Sequence, residues 1–199
     1  MPPTFFRAVP VTDASIHGEA QHARKTVRLP LNVPYIVDNL WEHLRPGSAP
    51  CRRQAVYASP VAALAARYVT AEAKGRGTAV YELLISGPAK IAQLQVEDAK
   101  LHGDIAAVRK LLQALSVVVL EASWEARQSM APLFMPVADK ADMLRTIATS
   151  PLAASFIEQA NQLSRFWSDV STDNFNPVGE IFFQLAPGST YRLLPIETA

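Results

Sequence analysis

Apolar positions along this chain recur first at strand spacing, then at helical spacing, then at strand spacing again. Phe5 to Val11 carries apolar residues around Arg7 and reads as a short strand, with Pro10 marking an edge or an end. Asp13 to Lys25 is polar, holds two histidines and shows no clear period, so loop or a short helix fits it. From Asn32 to Leu44, the residues Ile36, Val37, Leu40, Trp41 and Leu44 recur at helical spacing, and Arg45-Pro46-Gly47 ends that helix. Ala55 to Ala58 is a short strand. Ser59-Pro60 then reads as a helix N-cap with proline at the first helical position, opening an alanine-rich helix from Val61 to Ala73. Leu64, Ala65 and Tyr68 share one face of it, and Lys74-Gly75-Arg76-Gly77 closes it. Thr78 to Ile85 sets Tyr81, Leu83 and Ile85 against Val80, Glu82 and Leu84, as in a largely buried strand; Ala89 to Leu94 is a further candidate strand after the Gly87-Pro88 turn.

The stretch from Val96 to Ser168 is helical in pattern. Asp104 to Glu125 is a long helix with a break expected at the β-branched Val117–Val119, and Pro132 and Pro136 interrupt the chain beyond it. Asp139 to Thr149 and Pro151 to Trp167 are two more helices. Ile181 to Leu185 and Tyr191 to Pro195 are strands joined by Ala186-Pro187-Gly188-Ser189. Strands, a helical middle and strands again predict an α+β fold: one domain over 1–199 with a helical insertion at about 96–170.

Composition narrows the function classes more than it selects one. At 49% hydrophobic residues the chain can bury a real core. Nineteen basic against 18 acidic residues leave a formal charge of +1, so no global field draws in nucleic acid or a membrane surface. The lone Cys51 excludes an intramolecular disulfide and argues against a cysteine metal cluster. The longest apolar run, Leu111 to Leu120, is broken by Gln113 and Ser116 and falls short of the ~20 residues that span a bilayer. Met1 to Val11 lacks the basic-then-apolar layout of a secretory signal. These features predict a soluble protein made in the cytoplasm, with export through a specialised system that cleaves no signal left open.

Common catalytic patterns are missing. His17, His22, His43 and His102 are scattered and form no His-Glu-x-x-His pair, so no metal site is expected. No serine has the Gly-x-Ser-x-Gly elbow, and Gly75-Arg76-Gly77-Thr78 lacks the rest of a phosphate-binding glycine fingerprint. Three segments are more informative. Arg7 lies mid-strand, where a charge needs a partner or an opening to water; an edge strand facing solvent would also accommodate it. Ser59 fits a plain helix cap as well as an active-site corner, and Tyr57 and Tyr68 fit a core as well as a ligand pocket. Glu180 heads the apolar run Ile181-Phe182-Phe183-Gln184-Leu185.

Taken in order, these segments resemble the bacterial mono-ADP-ribosyltransferase toxins and effectors. Phe6-Arg7-Ala8 resembles the first strand of the cholera- and pertussis-like class, whose arginine shapes the NAD pocket. Val56-Tyr57-Ala58-Ser59 followed by Tyr68 is similar to the strand and helix of the diphtheria-like class, where two tyrosines sandwich the nicotinamide. Gly75-Arg76-Gly77-Thr78 resembles the glycine-rich link of the pertussis-like subunit, and Gly179-Glu180-Ile181-Phe182 the strand of the catalytic glutamate. Ala58 stands where the first serine of the usual triplet would be. Val178 stands two residues before Glu180, where arginine-modifying members carry Glu or Gln, so arginine is not implied as the acceptor.

The resemblance implies an ADP-ribosyltransferase-like split β-sandwich with NAD as substrate and no metal. It implies catalytic Glu180, Arg7 and Ser59, and NAD-binding Arg7, Tyr57, Ser59 and Tyr68. The implied partner is a macromolecular acceptor, protein before nucleic acid, and not a membrane; the helical insertion would recognise it. NAD glycohydrolase is the enzymatic alternative. A binding module is the other, engaging a partner through the helices from Asp139 to Trp167 if Phe166 and Trp167 are exposed.

Overall fold

The computed structural model of the chain describes residues 4–11, 18–67 and 77–196. In chain order the strands and α-helices are β1 (Phe5–Pro10), β2 (Gln21–His22), α1 (Tyr35–His43), β3 (Val56–Ala58), α2 (Ala62–Arg67), β4 (Thr78–Ser86), β5 (Ala89–Leu94), α3 (Gly103–Glu121), α4 (Trp124–Ser129), α5 (Lys140–Thr149), α6 (Pro151–Leu163), β6 (Val170–Ser171), β7 (Ile181–Leu185) and β8 (Thr190–Pro195). The fold is α+β, with two small sheets and several helices between them in sequence. The residues gather into two compact units, one from 1–26, 48–98 and 170–199, the other from 27–47 and 99–169.

The first unit contains both sheets. Their strand orders are β1-β4-β8-β2 and β3-β7-β5-β6, and every pairing is antiparallel. Alternation along the strands sends Phe5, Val9, Tyr81, Leu83 and Leu193 of the first sheet into one buried cluster with Val56, Ala58, Ile181, Phe183 and Leu185 of the second. Full burial of side chains of this size stabilises by roughly 1.5–3 kcal/mol each. A single bridge between Phe6 and Ser59 stitches the two sheets directly, with reciprocal N–H to O bonds of 2.8 Å.

That bridge corrects the reading of Ser59 as a helix cap. Its N–H and carbonyl are both committed to β1, and α2 begins later, at Ala62, with the Val61 carbonyl accepting from the Ala65 N–H at 3.2 Å. Positions 68–76, with Tyr68 and the Gly75-Arg76 link, lie outside the described residues. Gln21–His22 forms a two-residue strand on β8, inside a stretch expected to be loop or helix.

The second unit is built from helices whose starts are set by side-chain caps. The His102 ring caps α3, Ser123 caps α4, Asp139 and Asp142 form a capping box on α5, and Ser150 with Pro151 opens α6. The break expected at Val117–Val119 does not occur: α3 runs unbroken to Glu121. The propensity penalty of β-branched residues is too small to interrupt a helix already propagating. Helix α1 buries Ile36, Val37, Leu40 and Trp41 together with Asp38 and Asn39. The Asn39 amide donates to the Leu133 and Met135 carbonyls at 2.9 and 2.8 Å, tying down the turn after the short 3-10 helix Ala131–Phe134.

Phe166 answers the condition set for a binding module. It is fully buried, stacked on Trp41 with centroids 4.0 Å apart, and the indole N–H of Trp167 donates to the Trp41 carbonyl at 2.6 Å. Phe166 is therefore part of a core and Trp167 is half-buried, so the exposure of Phe166 that the binding-module alternative asked for is not there. No helix among the described residues is long and apolar enough to cross a membrane.

Candidate functional site

Arg7 lies on the face of β1 that also presents Phe5 and Val9 to the core. A guanidinium there must find an acceptor, and its Nη1 donates to the Tyr57 carbonyl of β3 at 3.1 Å. Tyr57 is the middle residue of the edge strand of the second sheet. Two residues on, Ser59 is buried and bridged to Phe6.

Glu180 enters this corner through strand register. β3 and β7 pair as Val56 with Phe183, Tyr57 with Phe182 and Ala58 with Ile181. Each step raises one number and lowers the other, so the next opposed pair is Ser59 with Glu180. The Glu180 backbone is fixed on its other side by β5, its N–H donating to the Val96 carbonyl at 2.9 Å and its carbonyl accepting from Leu94 at 3.0 Å. Gly179 permits that approach. Its φ is +118°, and a β-carbon there would overlap the Leu94 carbonyl oxygen.

A second guanidinium, which the sequence did not single out, completes the group. Arg52 is buried in the turn before β3, and its Nη1 lies 3.7 Å from Glu180 Oε2. Its guanidinium carbon sits 5.5 Å from the ring centres of both Tyr57 and Phe182, within cation–π range. Those two rings stack at 6.2 Å, and the Tyr57 hydroxyl donates to the Arg52 carbonyl at 2.8 Å. Gln184 holds the turn in place: its side-chain oxygen accepts from the Cys51 N–H at 2.9 Å and its amide donates to Gln54 at 3.0 Å. By strand alternation Tyr57, Ser59, Glu180, Phe182 and Gln184 share the face of the second sheet opposite its core residues.

Of the expected site residues, then, Tyr57, Ser59 and Glu180 share one face of the second sheet, Arg7 reaches the Tyr57 carbonyl from the core-facing side of β1, and Tyr68 lies outside the described residues. Arg52 and Gln184 are among the residues that sequence reasoning missed. For Gln184 the signal was a lone amide inside the apolar run of β7. For Arg52 there was little, since adjacent arginines in a turn ordinarily face water. The outer face of the second sheet offers one carboxylate, the Arg52 guanidinium and an aromatic pair, and the Arg7 guanidinium is bonded to the backbone of β3. A carboxylate suits ribose hydroxyls and developing positive charge, guanidiniums suit phosphate oxygens, and aromatic rings suit a planar heterocycle.

A second carboxylate cluster lies in the helical unit. Asp104 accepts from the Trp41 indole N–H at 2.8 Å, the Ser164 hydroxyl at 2.6 Å, and the backbone N–H groups of Arg165 and Phe166 at 2.9 and 3.3 Å. Burial by itself raises its pKa; the Ser164, Arg165 and Trp41 bonds and the neighbouring His102 outweigh this and leave it below the usual carboxylate value. His102 accepts the Asp104 N–H on Nδ1 at 3.2 Å and turns Nε2 to Asp169 at 3.4 Å. Every one of these partners belongs to the fold, which marks the cluster as structural. Among the described residues no group of three or more His, Cys, Asp and Glu side chains could hold a metal ion.

Compared with known proteins, the chain matches no protein-family model, no curated protein and no solved structure.

Proposed function

We propose that the two-sheet unit cleaves NAD at the nicotinamide–ribose bond and transfers ADP-ribose to a macromolecular acceptor. The observation that carries this reading is the register that sets Glu180 opposite Ser59, beside an Arg7 bonded to the same strand β3. The resemblance to the mono-ADP-ribosyltransferase toxins and effectors, and the pairing of two small antiparallel sheets like their split β-sandwich, support it further. The helical unit would then select the acceptor, a protein before a nucleic acid.

In this reading Glu180 hydrogen-bonds the ribose next to the scissile bond. The bond from C1′ to the nicotinamide nitrogen breaks, nicotinamide leaves with the electron pair, and the carboxylate stabilises the cation left on the sugar. An acceptor nucleophile bonds to C1′ and gives up its proton to solvent. Arg7 faces the phosphates, Ser59 orients Glu180, and Arg52 fixes the carboxylate from the aromatic side. Tyr57 offers its ring to the nicotinamide, with Tyr68 as the second ring that the resemblance implies.

The test is incubation of the purified protein with NAD labelled in the adenylate, alone and with a cell lysate, against Glu180→Gln. The reading expects nicotinamide release with label carried onto a macromolecule, both lost in the variant. Release without transfer would assign a glycohydrolase with water as acceptor. No release in either condition overturns the enzymatic reading.

A further inference from the structure

Gln93 is a fully buried amide one residue before the end of β5, facing the apolar core beside its register partner Ile181. A primary amide at such a place is costly unless each of its groups is bonded. Its side-chain bonds go to one short segment, the turn 176–179 that leads into Glu180. Its Oε1 accepts from the Asn176 N–H at 2.7 Å. Its Nε2 donates to the Asn176 and Val178 carbonyls at 2.9 and 3.1 Å, with the Gly179 carbonyl at 3.4 Å. The side chain therefore reads both the donor and the acceptor side of the turn's backbone, which a purely apolar residue could not do.

The turn carries further ties to β5 and β1. The Asn176 side chain accepts from the Val178 N–H at 2.9 Å and donates to Gln95 at 3.0 Å. Phe175, just before it, meets the ring of Phe5 edge-on at 5.6 Å. Gly179 then presses against the Leu94 carbonyl where no β-carbon would fit. Glu180 comes next without an intervening residue, so wherever the turn is held, the start of β7 is held with it.

We propose that Gln93 is a positioning residue for Glu180: its amide closes the turn 176–179 so that Glu180 leaves it in register with Ser59. The catalytic consequence rests on the reading of Glu180 as the carboxylate acting on NAD; the placement itself does not.

Two substitutions test it, each with two readouts. Gln93→Glu preserves shape and the acceptor for the Asn176 N–H, but its ionised form turns a second oxygen onto the carbonyls in place of a donor. Protonation returns an O–H donor. Burial and the facing carbonyls resist ionisation, so recovery should begin above the ordinary glutamate value of about 4.3. Gln93→Met removes both functions. Backbone amide exchange at Asn176, Val178 and Glu180 should quicken in Gln93→Met at neutral pH, and quicken in Gln93→Glu only where the new carboxyl is ionised. The kcat for nicotinamide release should fall by about tenfold or more in both variants. The ratio of Gln93→Glu to wild type should climb as pH falls, while the Gln93→Met ratio stays flat.

Unchanged exchange at these amides in Gln93→Met overturns the placement, whatever NAD does. Faster exchange with an unaltered kcat overturns its catalytic consequence. Faster exchange in a protein whose wild type releases no nicotinamide retains Gln93 as the clamp and sinks the NAD reading instead.

Discussion

Asp104 and Glu180 are both carboxylates held among aromatic rings, and their surroundings differ in what they leave open. The Asp104 side chain is 2% exposed and accepts from an indole, a hydroxyl and two backbone N–H groups of its own unit. Glu180 is 19% exposed, comes directly after a turn held from beneath, and meets a guanidinium at 3.7 Å, beyond hydrogen-bond length. The first arrangement fastens the start of α3 to the segment after α6, and it is as saturated as a carboxylate in a core must be. The second fixes a backbone and leaves the carboxylate within reach of solvent. Depth of burial thus separates an acid sealed inside a fold from an acid that solvent still reaches.

That contrast breaks most readily at Asp104. Replacing it with alanine orphans four donors in a core, and the helical unit should lose about 3–5 kcal/mol. All three tryptophans, Trp41, Trp124 and Trp167, belong to this unit, so tryptophan fluorescence during urea unfolding reads it selectively. A loss below about 1 kcal/mol would mean that the donors find other partners.

At the other carboxylate, Gly179→Ala should act through position. The added methyl cannot coexist with the Leu94 carbonyl, so the turn must shift, at a cost of about 1–3 kcal/mol in stability. Nicotinamide release should drop by roughly tenfold to a hundredfold. Equal activity in this variant would show that the approach of Gly179 to β5 does not place Glu180.

Arg52→Met retains the apolar stem and removes the charge from Tyr57, Phe182 and Glu180. A loss of about 1–2 kcal/mol in stability is expected, and Arg52→Lys should not restore it, because an ammonium cannot lie flat across two rings. Full rescue by lysine would assign the role to charge alone.

The smallest effect is the dependence of the helical unit on acid. The Asp104 pKa is depressed in the folded state, so its contribution is present above the unfolded value of about 3.9 and is lost as pH falls through the folded value. The gap in unfolding midpoint between wild type and Asp104→Asn should accordingly narrow below about pH 4. A constant gap would place its stabilisation in packing instead of ionisation.

Much of this was legible in the sequence where period and local chemistry agree. The strands Thr78–Ser86 and Ile181–Leu185 emerge from alternation or a short apolar run between turns, and Asp139 and Ser150 cap helices as their residue types suggest. Ser59 misled because serine before proline is a good cap locally, while a tertiary pairing with Phe6 claims its backbone first. Whether Phe166 was exposed could not be read from the sequence, because local pattern does not reveal that a distant Trp41 will stack on it. The sharing of one face by Tyr57, Ser59 and Glu180 depends on register between strands over a hundred residues apart, which no local pattern encodes. Arg52, Gln93 and Gln184 were missed for the same reason: each acts through a buried contact whose partner is far away in sequence.

The most direct measurement is nicotinamide release from NAD by the wild-type protein and by Glu180→Gln, with tryptophan fluorescence and far-ultraviolet circular dichroism recorded on the same samples. A fall of at least about a hundredfold, with both spectra and the unfolding midpoint unchanged, is the expected result. Equal release by the two proteins, or none by the wild type, would contradict the assignment of Glu180 to chemistry.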